Sequence, residues 1–177
     1  KHDIKACAIT DICNVFGVVK FYSAAIKNKI KPIIGTEILL YTPDKKDYPK
    51  LVLLCQNKTG YLNLLALISK AYREGRRTDN TPIIEYDWLN HHSIQGLIAL
   101  SAAQEGDVGQ ALILENMPLA KSHLEFWLNL FSEDRFYIEL QRTNHFQQER
   151  YNHLALALAK EFNIPVIATN NSRFIAK

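Results

Sequence analysis

Glycine and proline are scarce, at seven and six in 177 residues, which excludes a collagenous or low-complexity chain. Cysteine occurs three times, as Cys7, Cys13 and Cys55, an odd number without the close paired spacing of a disulfide framework or a structural zinc site. Lying in or beside apolar runs, these residues fit buried thiols in a reducing cytosol. No apolar run approaches the ~20 residues of a membrane helix, and no basic-then-apolar leader opens the chain. A cytoplasmic protein without a membrane partner is therefore expected. Charge of one sign is also lacking: the formal net charge is +3, so whole-chain electrostatics argue only weakly for nucleic acid. There is no Gly-rich phosphate loop, because Gly106-Asp107-Val108-Gly109 lacks the lysine and hydroxyl residue, although it suits a helix start. No nucleophile elbow and no internal repeat are present.

What is present is an apolar content of 47%, enough for one substantial core, and a single domain over residues 1–177 is expected. Short apolar runs at Ala6–Thr10, Pro32–Leu40, Leu51–Cys55, Gly96–Ser101, Phe136–Leu140 and Ile164–Thr169 read as strands. Helical spacing marks Phe16–Lys29, Asp107–Leu114, Leu119–Phe131 and Gln147–Phe162. Thr59–Glu74 is a further helix, with Leu62, Leu65, Ile68 and Tyr72 as its stripe and Gly75 as its stop. Strands mostly separated by helices imply right-handed parallel crossovers and an α/β fold with mostly parallel strands. Pattern alone does not separate an open sheet from a barrel. In both, chemistry lies at the carboxyl ends of the strands.

Those ends carry Asp11 and Glu37, which as hard oxygen donors suit a divalent ion or acid–base work. The plainer alternative makes Asp11 a cap for the following helix or turn and Glu37 a solvated strand residue. Histidines are poorly placed for zinc: His91 and His92 are adjacent in a polar loop, while His123, His145 and His153 lie in or beside helices. Trp88 and Trp127 fit core packing.

Ala8-Ile9-Thr10-Asp11, Val15-Phe16-Gly17-Val18-Val19-Lys20-Phe21-Tyr22 and Ile30-Lys31-Pro32-Ile33-Ile34-Gly35-Thr36-Glu37 resemble the polymerase and histidinol phosphatase (PHP) domain of bacterial DNA polymerase III alpha subunits. Asn57-Lys58-Thr59-Gly60-Tyr61-Leu62-Asn63-Leu64, Gly96-Leu97-Ile98-Ala99-Leu100-Ser101, Phe136-Tyr137-Ile138-Glu139-Leu140-Gln141 and Ile164-Pro165-Val166-Ile167-Ala168-Thr169-Asn170 continue the resemblance in order. The resemblance implies a distorted (β/α)7 barrel, incomplete here because the first strand and its His-x-His motif would precede Lys1. Active members hold up to three metal ions and hydrolyse phosphoesters, some as proofreading exonucleases.

Asp11 and Glu37 match ligand positions of that family, but the other positions have changed. The resemblance implies histidine where Ile12 and Lys50 stand, cysteine at Ala103, and histidine at Thr143. In the last motif, Asn171 replaces an aspartate and Arg173 a histidine. Two remaining carboxylates are too few for a catalytic metal cluster. If Lys50 and Arg173 project inward, they repel a cation or form salt bridges with Asp11 and Glu37 in its place. The expectation is thus a domain without catalytic residues, metal or cofactor, whose role is structural. By the same resemblance the parent chain is a DNA-directed DNA polymerase using Mg2+. The domain's partners would be the remaining polymerase domains, a proofreading exonuclease subunit and, through the parent, DNA. The rivals are an active phosphoesterase or 3'-5' exonuclease with altered ligands, such as Asp11, Glu37, Glu139 and His145, and a free-standing nucleic-acid-binding module.

Overall fold

A computed structural model of the chain describes residues 4–43, 48–76, 80–131, 134–144 and 146–172. It divides into two compact units, Lys1–Ala99 and Leu100–Lys177, each of mixed α/β character.

In the first unit, β1 (Ala6–Ile9) and β2 (Lys31–Leu39) are parallel, with Ala8 opposite Ile33, and α1 (Val18–Lys27) connects them. β3 (Lys50–Cys55) pairs with β2 in the antiparallel sense. The stretch between Leu39 and Lys50 is shorter than the dozen or more residues a parallel crossover needs, so the chain turns straight back. Thr36 faces Leu53 and Ile38 faces Leu51, and all four are buried. The strand period of two therefore puts Gly35, Glu37 and Leu39 with Lys50, Val52 and Leu54 on the opposite face. β4 (Leu97–Leu100) follows β3 in the strand order, its last residue falling at the unit boundary.

Helix α2 (Lys58–Glu74) is capped by Asn57, whose Oδ1 accepts from Gly60 N at 3.0 Å. Its buried row is Gly60, Leu64, Leu67, Ile68 and Ala71. This corrects the expected stripe, since Leu62 is exposed and Leu65 and Tyr72 are only half-buried. The rotation is set by Gly60: a Cβ there would stand 1.9 Å from Gly96 O, and only hydrogen fits that contact. Gly75 does end the helix, but at φ −99° rather than in the left-handed region. It is required because a Cβ would lie 2.0 Å from Ile83 O. Of the cysteines, Cys13 is buried, Cys55 half-buried and Cys7 exposed. The expectation of three buried thiols fails at Cys7 because β1 is an edge strand, exposed over Ala6–Ala8.

In the second unit a 3-10 turn at Ala103–Glu105 leads into α3 (Asp107–Ile113) and α4 (Met117–Leu130). Next come β5 (Phe136–Gln141), α5 (Gln148–Glu161) and β6 (Val166–Thr169), with β5 and β6 parallel and Gln141 opposite Thr169. The core forms around Trp127, fully buried and stacked 6.3 Å from Phe136. Its Nε1 donates to both carboxylate oxygens of Asp107 at 3.0 Å, so the indole's one polar group is satisfied inside. Helix α5 secures the end of β5: Tyr151 OH donates to Glu139 O at 2.8 Å, and Asn152 Nδ2 to Gln141 O at 2.9 Å.

Candidate functional site

At the carboxyl end of β1, the backbone of Asp11 is tied to β2. Thr36 Oγ1 donates to Asp11 O at 2.6 Å, Glu37 N to Asp11 O at 3.3 Å, and Cys13 N to Glu37 O at 2.7 Å. The backbones of Asp11 and Glu37, distant in sequence, are thereby joined, while the residue paired with Glu37 is Ile12. The Asp11 carboxylate faces the turn into α1, where Oδ2 accepts from Gly17 N at 3.3 Å. That is the helix-entry role given above as the plainer alternative.

Glu37 is not the solvated strand residue of that alternative. Lys50, directly across from Leu39, lies one diagonal step from Glu37 on the same face, and its Nζ stands 3.6 Å from Glu37 Oε2. Beside them, Ile12 bridges to Glu37 and offers only hydrocarbon. Cys13 completes the neighbourhood. Burial above all, with some help from the Glu37 charge, raises its thiol to about 11, and its Sγ donates to Pro82 O at 3.5 Å. Without a metal to draw off the proton, the thiol is a poor nucleophile at neutral pH. Burial likewise raises Cys55 to about 11.

The remaining sequence-picked positions belong to the second unit. Ala103 is buried in the 3-10 turn and presents a methyl group. Thr143 is engaged by the buried Gln148: Thr143 N donates to Gln148 Oε1 at 2.6 Å and Gln148 Nε2 to Thr143 Oγ1 at 3.1 Å. Asn171 is half-buried beyond β6. Arg173 and His145 lie outside the described residues, so the expected salt bridge from Arg173 has no geometry here. Glu139 is 5% exposed. Its Oε1 accepts from Thr169 Oγ1 and, at 3.1 Å, from Gln141 Nε2. Its backbone N donates to Ser101 Oγ at 2.9 Å. Burial, opposed by a hydrogen bond with Ser101, drives the Tyr151 hydroxyl well above the usual tyrosine range.

His91, His92 and His153 are exposed, and His123 approaches Asp107 at 3.6 Å rather than any strand end. Among the described residues no three His, Cys, Asp or Glu side chains are grouped to hold an ion. Sequence reasoning missed Gln148, which engages Thr143. The strand alternation of β5 carried one usable signal, since it places Glu139 and Gln141 on one face. The left-handed backbone of Cys13, at φ 53°, had none.

The family profile described as "PHP domain" matches residues 1–143. The DNA polymerase III subunit alpha of Vibrio cholerae is 43% identical over 97% of this chain, and that of Pseudomonas aeruginosa 45% identical over 96%. The Escherichia coli K12 protein of the same name is 43% identical over 96% of the chain. This chain spans only about 15% of the length of these relatives. Among solved structures, a provisionally assigned metal-dependent phosphoesterase from Bifidobacterium adolescentis matches with a TM-score of 0.47 at 13% identity, covering 94% of this chain and 76% of that one.

Proposed function

Because the chain belongs to the PHP domain family, we propose that it is one such domain of a bacterial DNA polymerase III alpha subunit, serving as architecture rather than as a phosphoesterase. The observation that carries this reading is the Lys50–Glu37 pair. A cation would have to approach a carboxylate whose neighbour is already an ammonium, and two like charges about 4 Å apart repel by several kcal/mol at an effective dielectric near 20. The donor set supports the same reading. Ile12 and Ala103 offer no lone pairs suited to a metal, and Thr143 is held by Gln148. These residues do not fit a multinuclear metal centre.

In the parent polymerase, nucleotide addition with Mg2+ would belong to domains outside these 177 residues. The partners of this domain would be those domains, a proofreading exonuclease subunit and, through the parent, DNA. No described helix is long and apolar enough to cross a membrane.

One observation favours a second reading, hydrolysis with altered ligands. Oε2 of the buried Glu139 has no hydrogen-bond partner among the described residues. The two readings separate in the complete polypeptide. Primer extension with Mg2+, combined with no Mn2+- or Zn2+-dependent hydrolysis of an aryl phosphate, supports the structural role. Metal-dependent hydrolysis that is lost in Glu37→Gln or Glu139→Gln would reverse it.

A further inference from the structure

Helix α1 carries an uncovered apolar face. Val18 and Ala25 turn inward, while Val19, Tyr22 and Ile26 are exposed, as is Phe16 in the turn before the helix. At 3.6 residues per turn, positions 19, 22 and 26 fall on one stripe spanning roughly 60°. Lys20 and Lys27 flank it on one side, both exposed. Lys5, Lys29 and Lys31 extend the positive rim around the end of the helix, and all three are exposed.

The charge here is lopsided. Residues 4–36 contain five lysines and one acid, Asp11, giving +4 where the entire chain has +3. None of these lysines is in an ion pair among the described residues. A contiguous apolar stripe left open on a stable protein marks an interaction site. The lysine rim decides its occupant. A second copy would bring the same five positive charges to the contact, so self-association is disfavoured. Phosphate binding would use the lysines but leave the Val19–Tyr22–Ile26 ridge unexplained. A ridge of side chains at helical spacing is what another helix packs into.

We propose that this face of α1 is the seat of an amphipathic helix with an apolar stripe and acidic flanks, contributed by the same polypeptide outside residues 1–177. The inference rests on the polymerase reading above. Relatives extend the chain more than sixfold, since it covers about 15% of their length. Covalent connection supplies a docking helix at an effective concentration near millimolar, which a separate subunit does not match.

The test is made on the intact polypeptide by zero-length carbodiimide cross-linking and by acetylation of lysines, both read by mass spectrometry. Lys20 and Lys27 should link to aspartate or glutamate on one helical segment of the same chain beyond these residues. Their acetylation should be slower in the native protein than in urea, and Ile26→Asp should restore it. Links only to another polypeptide or to a second copy, protection that appears only with DNA, or equal acetylation with and without urea would overturn the proposal. Primer extension by the same preparation reports separately on the polymerase reading.

Discussion

The ammonium of Lys50 stands 3.6 Å from Oε2 of Glu37, with both side chains only 16% exposed. Breaking such a pair leaves the surviving charge stranded in a poorly solvated place, whereas removing both charges together does not. Lys50→Ala should therefore destabilise the protein by ~2–4 kcal/mol, somewhat less than for a fully buried pair. The double variant Lys50→Met, Glu37→Leu should recover most of that loss. Urea unfolding of the two single variants and the double variant gives the coupling energy, and a value near zero would show that the pair contributes nothing.

Burial raises Cys13 and Cys55 to about 11 from a reference of 9.0. The unfolded chain therefore releases these protons first as the pH rises. Their contribution is fully present below pH 9 and is lost as the pH climbs toward 11, so stability should fall across that window. Replacing both by Ala or Ser should flatten this part of the pH–stability curve. At pH 8, iodoacetamide should modify the exposed Cys7 well before Cys13, read as the order of mass additions by peptide mapping.

Ala102 sits in the left-handed region at φ 56° and ψ 29°, followed by Ala103 at φ 49°. A side chain in this conformation costs ~1–2 kcal/mol, and the greater freedom of unfolded glycine offsets only part of that. Ala102→Gly should stabilise the protein by ~0.5–1 kcal/mol, seen as a raised urea midpoint with an unchanged slope.

Asp107 accepts from Trp127 Nε1 on both oxygens and from Val108 N at 2.7 Å, all inside the second unit. Asp107→Ala leaves buried donors unmatched and should cost ~2–3 kcal/mol. Asp107→Asn keeps one acceptor and should cost less. Thermal unfolding of the two variants, with Trp127 fluorescence as the local reporter, checks the order.

The elements were legible because their periods were clean. The short apolar run at Leu51–Cys55 reads as a strand, and Phe136–Leu140 with Gln147–Phe162 after it reads as strand then helix. The rotation of α2 was not legible, because it depends on Gly60 meeting the Gly96 backbone, a contact between residues far apart in the chain. At the site, the places of Asp11 and Glu37 at strand ends were legible, but not that Ile12 rather than Asp11 pairs with Glu37. The Lys50 contact depended on register, since a slip of one residue would have turned Lys50 to the other face. The arrival of Thr169 beside Glu139 and Gln141 was out of reach for the same reason: it exists only once β5 and β6 are paired in register.

The measurement that bears most directly on the account is the metal content of the complete polypeptide after exposure to Mn2+ or Zn2+ and gel filtration, compared with its Glu37→Gln variant. The account requires well under one tightly held ion per chain, with no difference between the two proteins. One ion or more per chain, lost on Glu37→Gln, would contradict it.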